Sequence, residues 1–341
     1  MPRQKKAQQQ GLIQVSWVKP LASLKLTLIL LLIFALGVIT WHFSESAWRN
    51  HLIVWPLFML AINLLAALLT HPTFRNQPWL FMFHLGLLLL LVVVAIGQLT
   101  MLLGSVEVTR GTTYDSRAAS WDQGYLHPNT LDRLAFELMD FSIRYEPKSG
   151  VANRQETRAH LRWKTADGTV KEGVIGDEVG LILEGYRFNT THNKGFALWF
   201  VWQPDRGPQL AGFVHLPAWP AHKHAQAVEW KIPGTSHHLW AHLKFDDPIL
   251  SDTQPSEFRK PKESQLFVEY AGQRQQLKLG QTMEFSDGRL VYKGLRTWMG
   301  FRIFYDWTLP WLLAAGLIAV LGLAGHFWRK YAATPWMEEE A

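Results

Sequence analysis

Four long apolar stretches lie unevenly along the chain, with three inside the first 103 residues and one close to the C-terminal end. A run of roughly 20 apolar residues is long enough to cross the hydrocarbon core of a bilayer as a helix. The four runs are residues 21–41, 52–69, 79–103 and 307–327. The sequence therefore predicts a membrane protein whose four transmembrane helices hold a domain of about two hundred residues on one side of the membrane.

Basic residues flank these runs on one side of the expected membrane. Lys and Arg beside short connections tend to stay in the cytoplasm. The residues that set the orientation in this way are Arg3, Lys5, Lys6, Lys19, Arg75, Arg329 and Lys330. The predicted segments are cytoplasmic residues 1–20, a three-helix base at 21–103, an extracytoplasmic domain at 104–306, a fourth span at 307–328 and a cytoplasmic tail at 329–341.

The positive charge of the chain is concentrated at the cytoplasmic ends. The formal net charge is +6, but residues 104–307 contain 25 Lys plus Arg against 24 Asp plus Glu. Because the extracytoplasmic domain is nearly neutral, we expect no nucleic-acid partner. The chain contains no cysteine, which excludes disulfides, thiolate ligands and thiol redox chemistry on this chain.

Apolar and aromatic residues between the third and fourth runs alternate with a period of two, which is typical of β-strands. The predicted strands are residues 141–145, 160–163, 186–189, 197–202, 239–245, 266–270 and 300–305. The pairs Asp167-Gly168, Ala271-Gly272 and Asp287-Gly288 lie between such runs and predict hairpin turns. These patterns predict a mostly antiparallel β domain, either a sandwich or an open barrel.

Two segments of this domain have other patterns. Residues 130–141 place Leu131, Leu134, Ala135 and Leu138 at helical spacing, which predicts a short amphipathic helix. Residues 246–263 are rich in Pro, Ser, Asp and Lys, which predicts a long loop. Several tryptophans near the ends of the apolar runs are expected to anchor the protein at the membrane interface. These are Trp41, Trp55, Trp79, Trp298, Trp307, Trp311 and Trp328.

A few polar side chains lie inside or at the ends of the apolar runs, and His84 and Asn63 are the most informative. An ionisable side chain in hydrocarbon is costly, so it is expected to face the helix bundle and often marks a functional site. On antiparallel helices these two residues occupy a similar depth. Two interpretations remain open: His84 hydrogen-bonds to Asn63 across the helix interface, or it is an axial ligand to haem iron.

Parts of the four runs resemble the ResB (CcsB) family of cytochrome c biogenesis proteins. The resemblance covers all four runs and their order, whereas the domain between them is similar mainly in its strand-rich character. The segments that carry it are Leu21 to Leu32 with Gly37 and Thr40, Leu60-Ala-Ile-Asn63-Leu64 with Phe83-His84-Leu85-Gly86, and Gly300 to Asp306 followed by Gly322-Leu323 and His326-Phe327.

The resemblance implies a subunit of the System II machinery, which carries haem b across the bacterial cytoplasmic membrane and attaches it to apocytochrome c. It implies a ResC/CcsA-like membrane partner, contact with apocytochrome c and with thiol-reducing proteins of the pathway, and a periplasmic location for the β domain. His84 matches the family's histidine ligand near the cytoplasmic side, and Asn63 would support it. His326 is a further candidate ligand near the cytoplasmic end of the last span.

The chain departs from the family pattern before the last span. Members often have Asp-Pro at this point, but this chain has Asp306-Trp307, and its β domain is shorter than in many members. The alternative function is therefore a membrane-anchored structural or interaction protein whose β domain binds another protein and which has no haem role. No protease, hydrolase or phosphate-loop motif occurs, so the sequence predicts no independent active site.

Two histidine clusters lie in the β domain. They are His222 with His224, and His237, His238 and His242. Their spacing could suit a transition metal, but no carboxylate or thiolate accompanies them in a known ligand pattern. The sequence therefore predicts surface histidines and no metal site.

Overall fold

The computed structural model describes residues 18–43, 49–165, 167–220 and 225–332. The described chain forms two compact units. The first comprises the residues up to Leu102, Gln123–Pro128 and the residues from Asp306 onward, and the second comprises Leu103–Asp122 and Asn129–Tyr305. The first unit contains the helices and the second contains the β-sheets.

The helical unit contains four helices that are long and apolar enough to cross a membrane. A proline at the first helical position begins α3 and α4, where its fixed φ and missing N–H are tolerated. The third span ends at Thr100, earlier than predicted, because the chain becomes extended at Met101. The helices are α1 (Leu24–Phe43), α2 (Arg49–Thr70), α3 (Pro72–Asn76), α4 (Pro78–Thr100) and α5 (Leu309–Ala332), with a 3₁₀ turn at Lys19–Ala22.

Small residues allow the long helices to pack closely. Gly86 of α4 lies against the backbone of Ala319, and Gly322 of α5 lies against the backbone of Phe83. In lipid, where apolar burial does not drive association, such close approach provides the packing contacts that hold helices together. The pair α4 and α5 therefore joins the N-terminal helices to the C-terminal span.

The β unit consists of three sheets. The first has the order β3-β1-β16-β8-β7, with β15 on β16 and β9 on β8. The second has the order β12-β4-β5-β6, with β2 on β4, and the third has the order β10-β11-β13-β14. The strands are β1 (Leu102–Thr109), β2 (Thr112–Thr113), β3 (Ser120–Gln123), β4 (Phe136–Lys148), β5 (Val151–Lys164), β6 (Val170–Gly176), β7 (Leu181–Leu183), β8 (Tyr186–Pro204), β9 (Leu210–His215), β10 (Ala227–Lys231), β11 (His238–Lys244), β12 (Ser256–Glu257), β13 (Gln265–Tyr270), β14 (Gln273–Leu277), β15 (Thr282–Phe285) and β16 (Gly288–Tyr305).

Antiparallel pairing organises this unit, as the alternating pattern predicted. The longest pair, β8 with β16, is antiparallel and contains two bulges, between Tyr292 and Gly294 and between Met299 and Phe301. All seven predicted strands lie within observed strands, except that Phe245 falls one residue beyond β11. None of the three sheets closes into a barrel within the described residues.

Positive backbone angles occur at two of the predicted hairpin turns. Ala271 and Gly272 join β13 to β14 with φ values of 50° and 77°, the combination that a two-residue type I′ turn requires. Gly168, between β5 and β6, has a φ of 84°. The third turn uses Ser286 and Asp287, since Gly288 already pairs with Phe285 as the first residue of β16.

The predicted helix at residues 130–141 is wrong. Only Leu131–Arg133 forms a 3₁₀ turn, and β4 begins at Phe136. Phe136 and Leu138 are almost fully buried and pair with β5, so the alternation of the strand outweighs a spacing that fits a helix equally well. The predicted loop at residues 246–263 is confirmed, apart from the two-residue strand β12.

Trp298 is not an interface anchor. It lies in β16 with its side chain 0% exposed, and its indole Nε1 donates a hydrogen bond to the carbonyl oxygen of Leu216 at 3.2 Å. Trp298 lies close to the fourth span in sequence, but it belongs to the extended strand β16, and its side chain is packed in the core of the β unit. Trp307, by contrast, is 48% exposed.

Candidate functional site

The helical unit contains a cavity of about 650 Å³ lined by residues of α1, α2, α3 and α4. Most of the lining side chains are apolar, including Leu57, Leu60, Leu87 and Leu91. His84 of α4 is one of the few polar side chains that line it. The cavity therefore combines an apolar wall with an imidazole.

The orientation of the His84 ring is fixed by its own helix. Its Nδ1 lies 2.8 Å from the carbonyl oxygen of Leu80, one turn earlier in α4. A carbonyl oxygen can only accept a hydrogen bond, so Nδ1 must carry a proton and act as the donor. In the neutral ring, the lone pair for a metal is then on Nε2. This is the arrangement in which histidine ligands are usually found, with the second nitrogen held by a carbonyl.

Aromatic rings surround His84. The centroid of its ring lies 4.7 Å from that of Phe74 and 5.0 Å from that of Phe83. His84 is half-buried. The imidazole is thus held by packing on two sides and by one hydrogen bond, which leaves little freedom for the ring to rotate.

Asn63 lines the same cavity, but its hydrogen bonds are made to residues just before and within the first turn of α1 and not to His84. It is 4% exposed. Its Nδ2 donates to the carbonyl oxygens of Leu21 at 2.5 Å and Ser23 at 3.2 Å, and its Oδ1 accepts from the Thr27 hydroxyl at 2.7 Å. These contacts attach the start of α1 to α2. Within the described residues, Asn63 and His84 share no hydrogen bond. Support of His84 by Asn63 therefore stays a prediction.

His326 lies in a different cavity. This second cavity, of about 510 Å³, is lined by His326, Arg329 and Lys330 of α5 together with the start of α4, including Trp79. The structure therefore does not place His326 and His84 around one cavity. A ligand role for His326 would need a site separate from that of His84.

His71 is a cavity residue that the sequence analysis missed. It lines the same cavity as His84 and is the residue directly before α3, where its side chain makes no capping hydrogen bond. Its Nδ1 lies 3.0 Å from the Thr73 hydroxyl. The available signal was the Thr70-His71-Pro72 sequence directly after the second run, where proline ends one helix and begins the next. Because His71 lies outside the apolar run, it did not stand out as an intramembrane residue.

Among the residues that the structure describes, no group of three or more His, Cys, Asp or Glu side chains has an arrangement that could hold a metal ion. His222 and His224 lie outside the described residues. His237 was predicted to lie on the surface, but it is only 6% exposed. Its ring nitrogens lie 2.8 Å from the Tyr270 hydroxyl and 2.5 Å from the Asp287 carboxylate, partners too distant in sequence for a local pattern to indicate.

Lys194 of β8 is a buried cation in the β unit, 5% exposed. Its ammonium lies 5.2 Å from the centroid of the Tyr145 ring and 5.8 Å from those of Trp219 and Phe258. No ion pair between described residues includes it. Burial, together with the positive charge of Arg154, lowers the pKa of the Lys194 ammonium to about 8.

Replacing Lys194 with methionine is expected to raise the free energy of unfolding at neutral pH by about 1–3 kcal/mol, because a charged amine no longer has to be buried. In the wild type, the unfolded chain keeps this proton up to about pH 10.4, whereas the folded domain releases it near pH 8. Folding releases a proton between these values, so stability increases with pH across that window. The variant should lose this increase. Chemical denaturation of the full-length protein in detergent measures both effects.

The matched control for this test is Lys244→Met, because Lys244 is an exposed lysine of β11 in the same unit. It should leave both the stability and its pH dependence nearly unchanged. A loss of stability in Lys194→Met would contradict the expectation and would show that the ammonium–aromatic contacts outweigh the cost of burying the charge.

Comparisons with known proteins find a family that part of the chain matches. The model of the ResB-like family matches residues 80–188, about a third of the chain. No curated protein matches the sequence. A solved structure described as "Cytochrome c Heme Lyase CcmF" is similar at 13% identity with a TM-score of 0.25, over 90% of this chain and 35% of that one. The chain thus spans about a third of the length of that protein, and a TM-score this low gives no support to a common fold.

The family match begins four residues before His84 and extends through the first strands of the β unit into β8. It therefore includes the histidine to which the resemblance assigned a role, together with the passage from the third span into the sheets. With its four apolar helices, the protein is a multi-pass membrane protein. As the resemblance indicated, the family that this chain matches over residues 80–188 is the ResB-like family.

Proposed function

We propose that this protein is the haem-handling ResB-like subunit of a System II complex. With a ResC/CcsA-like partner, it would carry haem b across the bacterial cytoplasmic membrane and support its attachment to apocytochrome c. The observation that carries the proposal is the His84 imidazole, which lines an apolar cavity with Nδ1 bound to the Leu80 carbonyl and Nε2 left for a metal. When bound, haem would supply an iron that the neutral His84 imidazole could ligate.

The cavity has properties that suit this cargo. Its volume of about 650 Å³ lies within the roughly 300–1,000 Å³ of small-molecule and cofactor sites. Leucine side chains from α2 and α4 line it and would cover the apolar faces of a porphyrin. The Leu80 carbonyl would both orient the imidazole and increase its basicity as a ligand.

The position of the cavity along the helices supports loading from the cytoplasm. His84 lies in the second turn of α4, next to the short connection that carries Arg75. Arg329 and Lys330 lie in the last turn of α5. By the positive-inside tendency, these ends of the helices would face the cytoplasm. In this orientation the β unit would be periplasmic.

The covalent step would take place elsewhere in the complex. This chain has no cysteine, so it can form neither a thioether bond to haem nor a disulfide with apocytochrome c. Thiol-reducing proteins of the pathway would keep the cysteines of the acceptor reduced. The role of this chain would be to hold haem and to pass it to the ResC/CcsA-like partner, at whose outer face attachment would occur.

Replacing His84 with alanine is expected to remove the six-coordinate haem signal from the complex with the ResC/CcsA-like partner, because the axial imidazole is lost. His84→Gly should regain the signal when imidazole is added, since glycine leaves room for the free ligand. The absorption spectra of the purified complexes in detergent measure this. His42→Ala is a suitable control, because His42 is exposed near the end of α1 and does not line the cavity.

A wild-type complex without haem, or a His84→Ala spectrum identical to that of the wild type, would contradict the ligand assignment. The alternative would then be favoured, in which the helices anchor a β unit that binds another protein. Accumulation of mature c-type cytochromes in cells that lack this protein would point the same way.

A further inference from the structure

We propose that the second cavity of the helical unit, between the start of α4 and the end of α5, binds the phosphate group of an anionic phospholipid. This basic cavity is lined by residues 76–79 and by His326, Arg329 and Lys330. Basic pockets between membrane helices are suited to anionic head groups. Such binding needs no iron and goes beyond the haem-handling function.

The wall of the basic cavity that α5 provides is positively charged. Arg329 and Lys330 lie three and four residues after His326, so the three side chains are neighbours on one face of the helix. Among the described residues that line the cavity, none is acidic. Arg can bind phosphate oxygens through two parallel N–H donors, and Lys supplies a further positive charge. This wall therefore suits a phosphate group.

The wall that α4 provides has the same polarity. The helix begins at Pro78, and the side chain of Gln77 before it makes no capping hydrogen bond. The first N–H groups of a helix have no acceptor within it, and the helix dipole favours an anion at this end. Pro78 has no N–H, so the first such donor is the backbone N–H of Trp79. An anion in the basic cavity would thus meet favourable charge on both sides.

Close packing holds the two walls together. A Cβ at Gly325 of α5 would overlap the indole of Trp79, and one at Gly322 would overlap the backbone of Phe83. The start of α4 and the end of α5 are therefore in direct contact beside the basic cavity. Because its walls belong to two packed helices, the cavity of about 510 Å³ is formed before a ligand arrives.

The position of the basic cavity along α5 places it among lipid head groups. The helix begins at Leu309, and Arg329 lies further along it by about 30 Å, at the helical rise of about 1.5 Å per residue. The hydrocarbon core of a bilayer is also about 30 Å thick. If α5 enters the membrane at Leu309, Arg329 consequently reaches the head groups on the other side.

Exposed aromatic side chains at the same level favour a lipid over a dissolved phosphate. Trp328 and Tyr331 flank the two basic residues and are 78% and 69% exposed, and Trp79 is 42% exposed. Tryptophan and tyrosine rings prefer the membrane interface. Exposed apolar side chains of α5 lie below them, such as Leu321 at 60% exposure. A phospholipid can place its phosphate in the basic cavity and its acyl chains along this apolar face.

The test titrates the full-length protein, purified in detergent without haem, with phosphatidylglycerol or with phosphatidylcholine. Native mass spectrometry counts the lipid molecules retained, and thermal unfolding measures the stabilisation that a ligand of the folded state produces. The wild type should retain phosphatidylglycerol in preference to phosphatidylcholine and should unfold at a higher temperature with it. Arg329→Gln should weaken this retention about tenfold, through the loss of one charge-assisted contact. Arg329→Lys should weaken it less, since the positive charge remains.

Arg75→Gln is the matched control, because Arg75 carries the same charge in α3, close to the start of α4, and does not line the basic cavity. It should change the retention only slightly. Equal losses in the Arg329→Gln and Arg75→Gln variants, or equal retention of the two lipids, would overturn the proposal. Inorganic phosphate that stabilises the protein as much as phosphatidylglycerol does would also overturn it, because the acyl chains would then contribute nothing. None of these outcomes depends on haem binding at His84, so the proposed function would stand.

Discussion

Replacing Gly322 with valine is expected to separate α5 from α4 and to produce the largest loss of stability in the helical unit. A side chain at this position would overlap the backbone of Phe83 and lie 2.8 Å from the carbonyl carbon of Met82. The overlapping atoms belong to the backbone of a helix, which cannot change conformation as a flexible side chain can. Overpacking typically costs about 1–3 kcal/mol and sometimes more. Thermal unfolding of the protein in detergent, followed by the amount of monodisperse protein, measures the loss.

The same helix offers a matched control. Gly316 has no neighbouring atom within 4 Å of the position that a Cβ would occupy, so Gly316→Val makes the same chemical change without the overlap. This variant should be close to the wild type. Equal stability of the Gly322 and Gly316 variants would show that the close approach of α4 and α5 does not hold the unit together.

Replacing Trp298 with alanine is expected to destabilise the β unit by about 3–5 kcal/mol, the usual cost of truncating a buried tryptophan. The indole is fully buried, stacks on His215 with centroids 5.5 Å apart and donates to the Leu216 carbonyl. Its removal would leave a cavity and an unpaired carbonyl. Hydrogen exchange of β8 and β16 in the full-length protein would show where protection is lost.

Trp121→Ala serves as the control for this prediction, because Trp121 belongs to the same unit and is 40% exposed. Its truncation should cost much less. If the two substitutions reduce protection to the same extent, the indole of Trp298 is not a central part of the β core. Gly195 offers an independent check, since a Cβ there would lie 2.7 Å from the Trp298 Nε1, and Gly195→Ala should therefore also weaken this region.

Much of the fold could be predicted because its signals are local in sequence. Long apolar runs indicated the four spans, and alternation indicated strands such as β8 and β16. The prediction for the segment from Thr130 to Phe141 was wrong because its leucine spacing fits a helix as well as the start of a strand. The pairing of β4 with β5 makes this segment a strand, and it is a tertiary contact that local spacing does not reveal. The prediction that Trp298 is an interface anchor was wrong for a related reason. Its short distance in sequence from the fourth span does not indicate whether it belongs to a buried strand.

The candidate site could be predicted only in part. His84 stood out because it interrupts an apolar run, and the structure places it on a cavity wall. His71 was missed because it lies between runs, where a histidine is unremarkable, and only the reversal at Pro72 brings it to the cavity. The hydrogen bonds of Asn63 with the start of α1 could not be inferred either, because they depend on which helix packs beside α2.

The close pairing of α4 and α5 also has a consequence for the time course of synthesis. About two hundred residues separate the end of α4 from the start of α5. At about 5–20 residues per second, a ribosome needs roughly 10–40 s to make them. During this interval the face of α4 that contains Gly86 has no helix of its own chain to cover it. A ribosome that stops inside the β unit therefore releases a chain in which α5 is missing and this face of α4 is left uncovered.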